Sequence, residues 1–475
     1  MSSALAQRPF PLDLIYAVLE LLVDRRDLHA ATLTNWDWNR AATPLLYRTL
    51  DSDTRSKKHN KETHPANTLL KRPELARHVR HVHEAGFLHK NDPILTALVL
   101  RALRLCVNIY SFSWVDDGSS SSPEVFESFL DVLVAHTPRE LTIRSYSDLG
   151  ERIWSKLNGI GGLHKVVVWC MEGKPRILQD WAERLTDSLT SLELGRCAGV
   201  PATLLVDTLA QLPLLRELTL KGAPSQSMHN IMMNLPKLEV LDTEYLGMGA
   251  LRPVEDSPNM PRLRRLIIRT SSVDLQGPRQ LWAWIRQLIP RTSLESFTLN
   301  AFSTQGYMTI PRHFLLSLAR THGETLRSFL VNMSQLTLED IECICSLLPH
   351  VRELSCATTS PDPLALKHAI SKGKRLESLK VYVAWIPTHT PESVFLVHET
   401  PSERFGKVEA RKLMFREDDG CRNIRLLSVG PQTYVGRWRR VQESDGTWRL
   451  DFVVDEDAAD AALDRHWVGG LPTPT

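Results

Sequence analysis

One short apolar phrase recurs along this chain, and that recurrence limits what it can fold into. Between Leu189 and Leu220 the sequence reads Leu189-x-x-Leu192-x-Leu194-x-x-Cys197, then a helical run from Pro201 to Leu212, then Pro213 and Leu215-x-x-Leu218-x-Leu220. Leu192 and Leu194 alternate as the inward residues of a strand, and the run behind them is long enough for a helix that covers that face. One such unit leaves an apolar edge open, so it needs neighbours. The first position of the phrase returns at Val79, Val107, Leu163, Leu189, Leu215, Leu238, Leu263, Leu294, Leu326, Val351 and Leu376. From Leu163 onward the steps are 26, 26, 23, 25, 31, 32, 25 and 25 residues. A weaker member, Leu141-x-Ile143, carries Pro138 where the first leucine belongs.

Phrase and period resemble the leucine-rich repeat, whose units run to roughly 20–29 residues. A proline joint supports the reading: Leu212-Pro213-x-Leu215, Leu235-Pro236-x-Leu238, Met260-Pro261-x-Leu263 and Leu348-Pro349-x-Val351. Proline lacks an amide donor and biases the residue before it away from helical geometry, so each helix stops just ahead of the next strand. Cys197 falls where such repeats often carry Asn or Cys bonded to turn backbone.

Composition narrows the class further. A hydrophobic content of 43%, a charged content of 24% and a formal net charge of +2 describe an ordinary globular chain with no bulk attraction to nucleic acid or acidic membranes. The longest apolar run, Leu14 to Val23, is broken by Glu20 and is too short to span a bilayer; no signal-peptide core precedes it. The expected location is therefore cytoplasmic and/or nuclear. Seven scattered cysteines without a Cys-x-x-Cys pair argue against a disulfide framework and the common zinc spacings.

The first 48 residues do not follow the repeat. Pro11 opens a helix on which Leu12, Ile15, Leu19 and Leu22 fall at helical spacing. Asp27 is placed to cap a second short helix from Leu28, and a third carries Trp36, Trp38 and Ala42 and is expected to end before Pro44. The string Phe10-Pro11-x-Asp13-Leu14-Ile15-x-x-Val18-Leu19, followed by Asp27-Leu28, Leu33 and Trp38-x-x-Ala41, resembles the F-box motif. Thr43-Pro44-Leu45-Leu46-Tyr47 is similar to the way many fungal F-box proteins leave it. The resemblance covers about a tenth of the chain and departs from the family at Phe10, where leucine is usual. It implies docking onto the Skp-type adaptor of a cullin-RING ubiquitin ligase through Pro11, Leu14, Ile15, Val18, Leu19, Leu28 and Trp38. Without that resemblance, the same helices read as an N-terminal cap over the first repeat.

The expected organisation is α/β: a disordered N-terminus over 1–8, a three-helix F-box-like domain over 9–48, and a polar loop and linker over 49–75. A leucine-rich-repeat solenoid of horseshoe type follows over 76–386, with an irregular last repeat and a C-terminal β-hairpin cap over 387–454. The hairpin rests on Asp445-Gly446 between strands bearing Trp438 and Trp448, and 455–475 reads as an acidic helix and tail. Two loops stand out. Residues 51–64 are basic, with Arg55, Lys57, Lys58 and Lys61 but no interleaved aromatics, and Ser119 to Ser122 form a flexible run open to phosphorylation.

Catalytic patterns are missing: there is no Gly-x-Ser-x-Gly, no phosphate-binding glycine loop and no His-Glu-x-x-His. His81 and His83 share a strand face near His78 but lack a third ligand at fixed spacing, and Cys343 and Cys345 diverge on a helix. No metal, cofactor or catalytic residue is expected. What repeats offer is a sheet face whose outward residues form columns. On it, Trp169, Arg265, Arg269 and Tyr382 are the candidate partner contacts, while the acidic positions between 193 and 244 beside Arg265 and Arg269 also fit simple pairing across strands. The sequence thus reads as a non-catalytic substrate-recognition adaptor that tethers a target protein to a ubiquitin ligase, or alternatively as a protein-binding repeat scaffold that joins no ligase.

Overall fold

The structure is a computed structural model of the 475-residue chain. It describes residues 12–22, 24–52, 64–116, 123–247, 259–270, 279–301, 308–358, 362–383, 405–416, 422–430, 432–442 and 447–457. The chain divides into two compact units, Met1–Leu215 with Thr219–Lys221, and Arg216–Leu218 with Gly222–Thr475.

The first unit begins with three helices: α1 (Leu12–Leu19), α2 (Arg25–Thr32) and α3 (Trp36–Leu46). Strands β1 (Thr49–Asp51), β2 (His81–Ala85), β3 (Ser111–Val115), β4 (Glu140–Ser145), β5 (Lys165–Cys170) and β6 (Ser191–Leu194) follow, each paired in parallel with the next in chain order. Parallel neighbours need a crossover, and helices such as Pro93–Leu103 and Pro123–Leu133 supply it. β7 (Glu217–Leu220) is the strand at which the division falls.

The second unit continues with β8 (Val240–Glu244), β9 (Arg265–Thr270), β10 (Ser296–Ala301), β11 (Ser328–Leu336), β12 (Glu353–Thr358), β13 (Ser378–Val383) and β14 (Leu426–Val429), again parallel and in order. Two antiparallel strands close it, β15 (Gln432–Gln442) and β16 (Trp448–Asp457).

Register repeats to the residue. The first phrase position sits two residues ahead of its strand and is buried at Val79, Leu163, Leu189, Leu263, Leu294, Leu326, Val351, Leu376 and Ile424. The residue between that position and the strand donates its amide to the equivalent carbonyl of the preceding repeat. His164 bonds Arg139, and Arg264 bonds Glu239, at 2.7 and 2.8 Å; the same bond recurs at Arg80, Tyr110, Glu295, Arg327, Arg352, Glu377 and Arg425. Inward strand positions meet across the sheet, as in the row Phe112, Leu141, Val166 and Leu192, all of them buried.

Several expectations need correction. Val107 is exposed, and Ile109 is the buried first position ahead of β3, because the helix Pro93–Leu103 is followed by a turn that shifts the phrase by two residues. The segment 49–75 is more than a linker: β1 carries the inward Leu50, a helix spans Ala66–Lys71 and a 3-10 turn spans Pro73–His78, burying Leu69 and Leu75. α2 starts three residues before Leu28, with Asp24 and not Asp27 as its cap, since Asp24 Oδ1 accepts from the Arg26 amide at 2.8 Å. α3 runs through Pro44 to Leu46. Asp455 to Asp457 belong to β16, where they pair with Thr433 to Val435, so the acidic stretch opens as strand and not as helix. The N-terminus over 1–8, most of the basic loop, the serine run, the hairpin turn and the tail from 458 lie outside the described residues.

Candidate functional site

The helical segment sorts its apolar residues into two faces. Ile15 and Leu19, four apart on α1, pack with Leu28, Ala31, Ala41 and Ala42, and Leu22, Trp38, Leu45 and Leu46 lie against that cluster. Leu14 and Val18, on the neighbouring face of α1, and Leu21, in the turn after it, are 51%, 45% and 79% exposed. Leu33 and Trp36, at the joint between α2 and α3, are exposed as well, with the Arg40 guanidinium 5.3 Å over the Trp36 ring. Asn35 fixes that joint by accepting from the Trp38 amide at 3.0 Å.

Of the seven residues expected to face an adaptor, then, Leu14 and Val18 are on the surface and Trp38 is half-buried. Ile15, Leu19 and Leu28 are core and present no face to a partner, because a segment this short needs them to hold its three helices together. Pro11 lies outside the described residues. Leu21, Leu33 and Trp36 were missed as surface candidates, although the i, i+4, i+7 spacing of Leu14, Val18 and Leu21 was the signal that would have found Leu21.

The outward strand face holds the other candidates. In the first unit, Trp169 is half-buried. Its indole N–H donates to Glu193 Oε1 at 2.5 Å, the Lys221 ammonium lies 4.1 Å from its ring centre and the Arg144 guanidinium 5.4 Å. Arg144 also pairs with Glu193 at 3.5 Å. The ring leans over Gly195, where any Cβ would collide with it. Trp169, expected as a partner contact, is thus packed against two cations, a carboxylate and a glycine of its own chain.

In the second unit Arg265 and Arg269 part company. Arg265 is exposed, whereas Arg269 is buried and turns both terminal nitrogens onto the carboxylate of Asp242 on the adjacent strand. Arg269 is therefore corrected from surface contact to a buried ion pair with Asp242. Tyr382 is half-buried, with the Lys380 ammonium 5.2 Å from its ring centre.

A buried polar cluster also escaped sequence reasoning. Glu84 takes the inward place that apolar residues hold on the other strands of its unit, and Glu84 Oε2 bonds His89 Nε2 at 2.7 Å with both side chains fully buried. Burial pushes the Glu84 carboxyl up, while the hydrogen bond from His89 pulls it down. His89 also stacks against Trp114 and contacts Thr96. The histidines weighed as metal ligands behave differently: His81 Nδ1 bonds Ser111 Oγ at 2.8 Å, and no group of three His, Cys, Asp or Glu side chains among the described residues could hold a metal ion. No described helix is long and apolar enough to cross a membrane.

Comparison with known proteins adds little. No family model matches the chain, and no curated protein matches it. Among solved structures, a chain in the crystal structure of the Rad7 and Elc1 complex in yeast superposes with a TM-score of 0.44 at 16% identity, covering 78% of this chain and 87% of that one. A chain of the TLR13–ssRNA13 complex gives 0.35 at 13% identity, covering 65% of this chain and 42% of that one. Likeness at these levels carries no argument about function.

Proposed function

We propose that the chain is the substrate-recognition adaptor of a Skp/cullin/F-box ubiquitin ligase, with the helical segment docking onto a Skp-type adaptor and the repeat strands holding a target protein. The observation that carries this reading is the exposed apolar row of Leu14 and Val18 on α1, continued by Leu21 in the turn just past its end, beside a neighbouring row that already closes the core of the three helices. A cap that served only the repeats would need its second apolar face turned inward; large apolar residues left in water on one short helix and the turn that follows it are what a docking helix presents. The proposed mechanism is tethering: neither partner is altered by this chain, and holding the target near the ubiquitin donor raises the effective concentration of its lysines. On this reading the protein works in the cytoplasm or nucleus, without cofactor or metal, and is no enzyme in itself. The alternative, a repeat scaffold that joins no ligase, keeps the same strands and gives the stripe no adaptor.

The test is co-expression of the full chain with a Skp-type adaptor, followed by capture. Leu14→Asp/Val18→Asp changes exposed positions, so the variant should fold like the parent and lose capture. Leu19→Ala serves as a contrast, because it empties the helical core and should lower the stability of the segment by about 2–5 kcal/mol. Equal capture of the parent and the double Asp variant would rule the adaptor reading out in favour of the scaffold.

A further inference from the structure

In the second unit, a cavity of about 650 Å³ lies along the joints that lead into β8 and β9. Its lining comes from equivalent places in successive repeats. The residue just ahead of the first phrase position is Lys237, Arg262, Ser293 and Thr325 in turn, and the residue just after that position is Arg216, Glu239, Arg264 and Glu295. The second column neutralises itself: Glu239 accepts from Arg216 at 3.2 Å and lies 3.8 Å from Arg264, which is 3.0 Å from Glu295. The first column does not. Ser293 and Thr325 turn their hydroxyls onto the Leu263 and Leu294 carbonyls at 2.7 and 2.8 Å. Lys237 and Arg262 are exposed, and among the described residues no carboxylate lies within ion-pair distance of either. With Arg291, the lining sets five cations against the two carboxylates of Glu239 and Glu295. Val240 and Arg265 are opposite one another in register, so Lys237 and Arg262, each three residues ahead of that pair, are like charges on neighbouring repeats. Like charges so placed repel, and an anion between them removes the repulsion.

We infer that this cavity binds a small polyphosphate, a compound with two or more linked phosphoryl groups, through Lys237, Arg262 and Arg291, while Arg216 and Arg264 stay with their glutamates. The volume is that of a small-ligand site, and a wall of cations in place of apolar side chains selects an anion. Phosphoryl groups bring more negative charge and more acceptor oxygens into such a volume than carboxylates do, and a guanidinium meets two of those oxygens at once. A free polyphosphate and the tail of a nucleoside triphosphate share that chemistry. The inference goes beyond the adaptor reading and does not depend on it, since it uses no residue of the N-terminal helices.

The test is calorimetric titration of the full chain with tripolyphosphate, ATP and citrate at about 0.15 M salt, where loose surface pairing is screened. Tripolyphosphate should bind saturably and raise the melting temperature. Citrate, which carries its charge on carboxylates, should bind about tenfold more weakly or less. ATP equal to tripolyphosphate assigns recognition to the phosphates, and tighter ATP adds the nucleoside to it; either supports the inference. Lys237→Gln/Arg262→Gln should weaken tripolyphosphate about tenfold, whereas Arg437→Gln, at an exposed position on β15, should leave it within about twofold. Without ligand the double variant should melt no lower than the parent, because it removes like charges from exposed positions. A loss shared by Arg437→Gln, citrate binding as tight as that of tripolyphosphate, or no binding by the folded parent would each overturn the inference. Binding seen only after Glu255→Gln/Asp256→Asn, at positions outside the described residues, would overturn it too, by showing that carboxylates of the same chain already fill the cavity. A phosphoserine peptide that binds where tripolyphosphate does not would give the cavity to a protein partner instead.

Discussion

The first helix and the repeat strands handle their apolar residues in opposite ways. In the strands, period two sends Leu192 and Leu194 inward, while Glu193 and Gly195 stay on the outward side. In α1 nearly every residue is apolar, and the face that becomes core, Ile15 and Leu19, cannot be told from the face that stays in water, Leu14 and Val18, until the other two helices are in place. The difference teaches where a residue list read from sequence can be trusted. A strand separates its two faces by parity, but a uniformly apolar short helix does not.

Arg265 and Arg269 put that contrast under the largest strain, because parity misleads there too: both lie on the outward side of β9, yet only Arg265 is exposed. Removing Arg269 takes the guanidinium from a buried Asp242, so Arg269→Met should destabilise the chain by about 3–5 kcal/mol in urea unfolding. Arg265→Met should stay within about 0.5 kcal/mol. If the two cost the same, the outward face of β9 is uniformly wet and the ion pair is incidental.

A smaller effect sharpens the strand side of the comparison. Gly195 is needed because the Trp169 ring lies where its Cβ would be, so Gly195→Ala should cost about 1–3 kcal/mol in thermal or urea unfolding. In a Trp169→Leu background the same change should cost much less, and that coupling is the specific outcome. Equal costs in the two backgrounds would mean that Gly195 answers to its own backbone and not to the indole.

Much of the array was legible because it is repetitive. The phrase marks each strand two residues ahead, and the proline joints mark where helices stop, so errors arose where the repeat is worn. At Val107 the phrase is two residues early: Ile109, equally apolar, is the buried position, and nothing local in the sequence separates the two. β1 is hard to see because Leu50 has polar neighbours and the phrase position two residues ahead of its strand is Tyr47 and not a leucine. The candidate site was less legible for a different reason. Trp169 and Arg269 became intelligible only through residues 24 and 27 positions away, Glu193 and Asp242, and no local spacing shows which side chains meet across strands. The Glu84–His89 pair was hidden in the same way: a glutamate in an inward place reads as a broken repeat until its partner histidine is seen.

The smallest effect concerns protons and a helix end of the second unit. His322 is buried at the end of the helix Arg312–His322, with Nε2 3.1 Å from the Ile289 carbonyl and Nδ1 3.4 Å from the Leu294 amide. Those partners require one nitrogen to donate and the other to accept, which is the neutral ring. Burial holds His322 below the ordinary value of 6.5, with the Ile289 carbonyl opposing that shift. Its folded pKa is depressed, so the unfolded chain binds the proton more readily. The contribution to stability is therefore complete above pH 6.5 and is lost as the pH falls below that value. Glutamine offers one donor and one acceptor without a titrating proton. His322→Gln should therefore match the parent in urea unfolding near pH 8 and fall behind it less, or overtake it, by pH 5. Parallel pH profiles for the two would show that His322 takes up its proton without disturbing Ile289 and Leu294, and that the helix end is open to water.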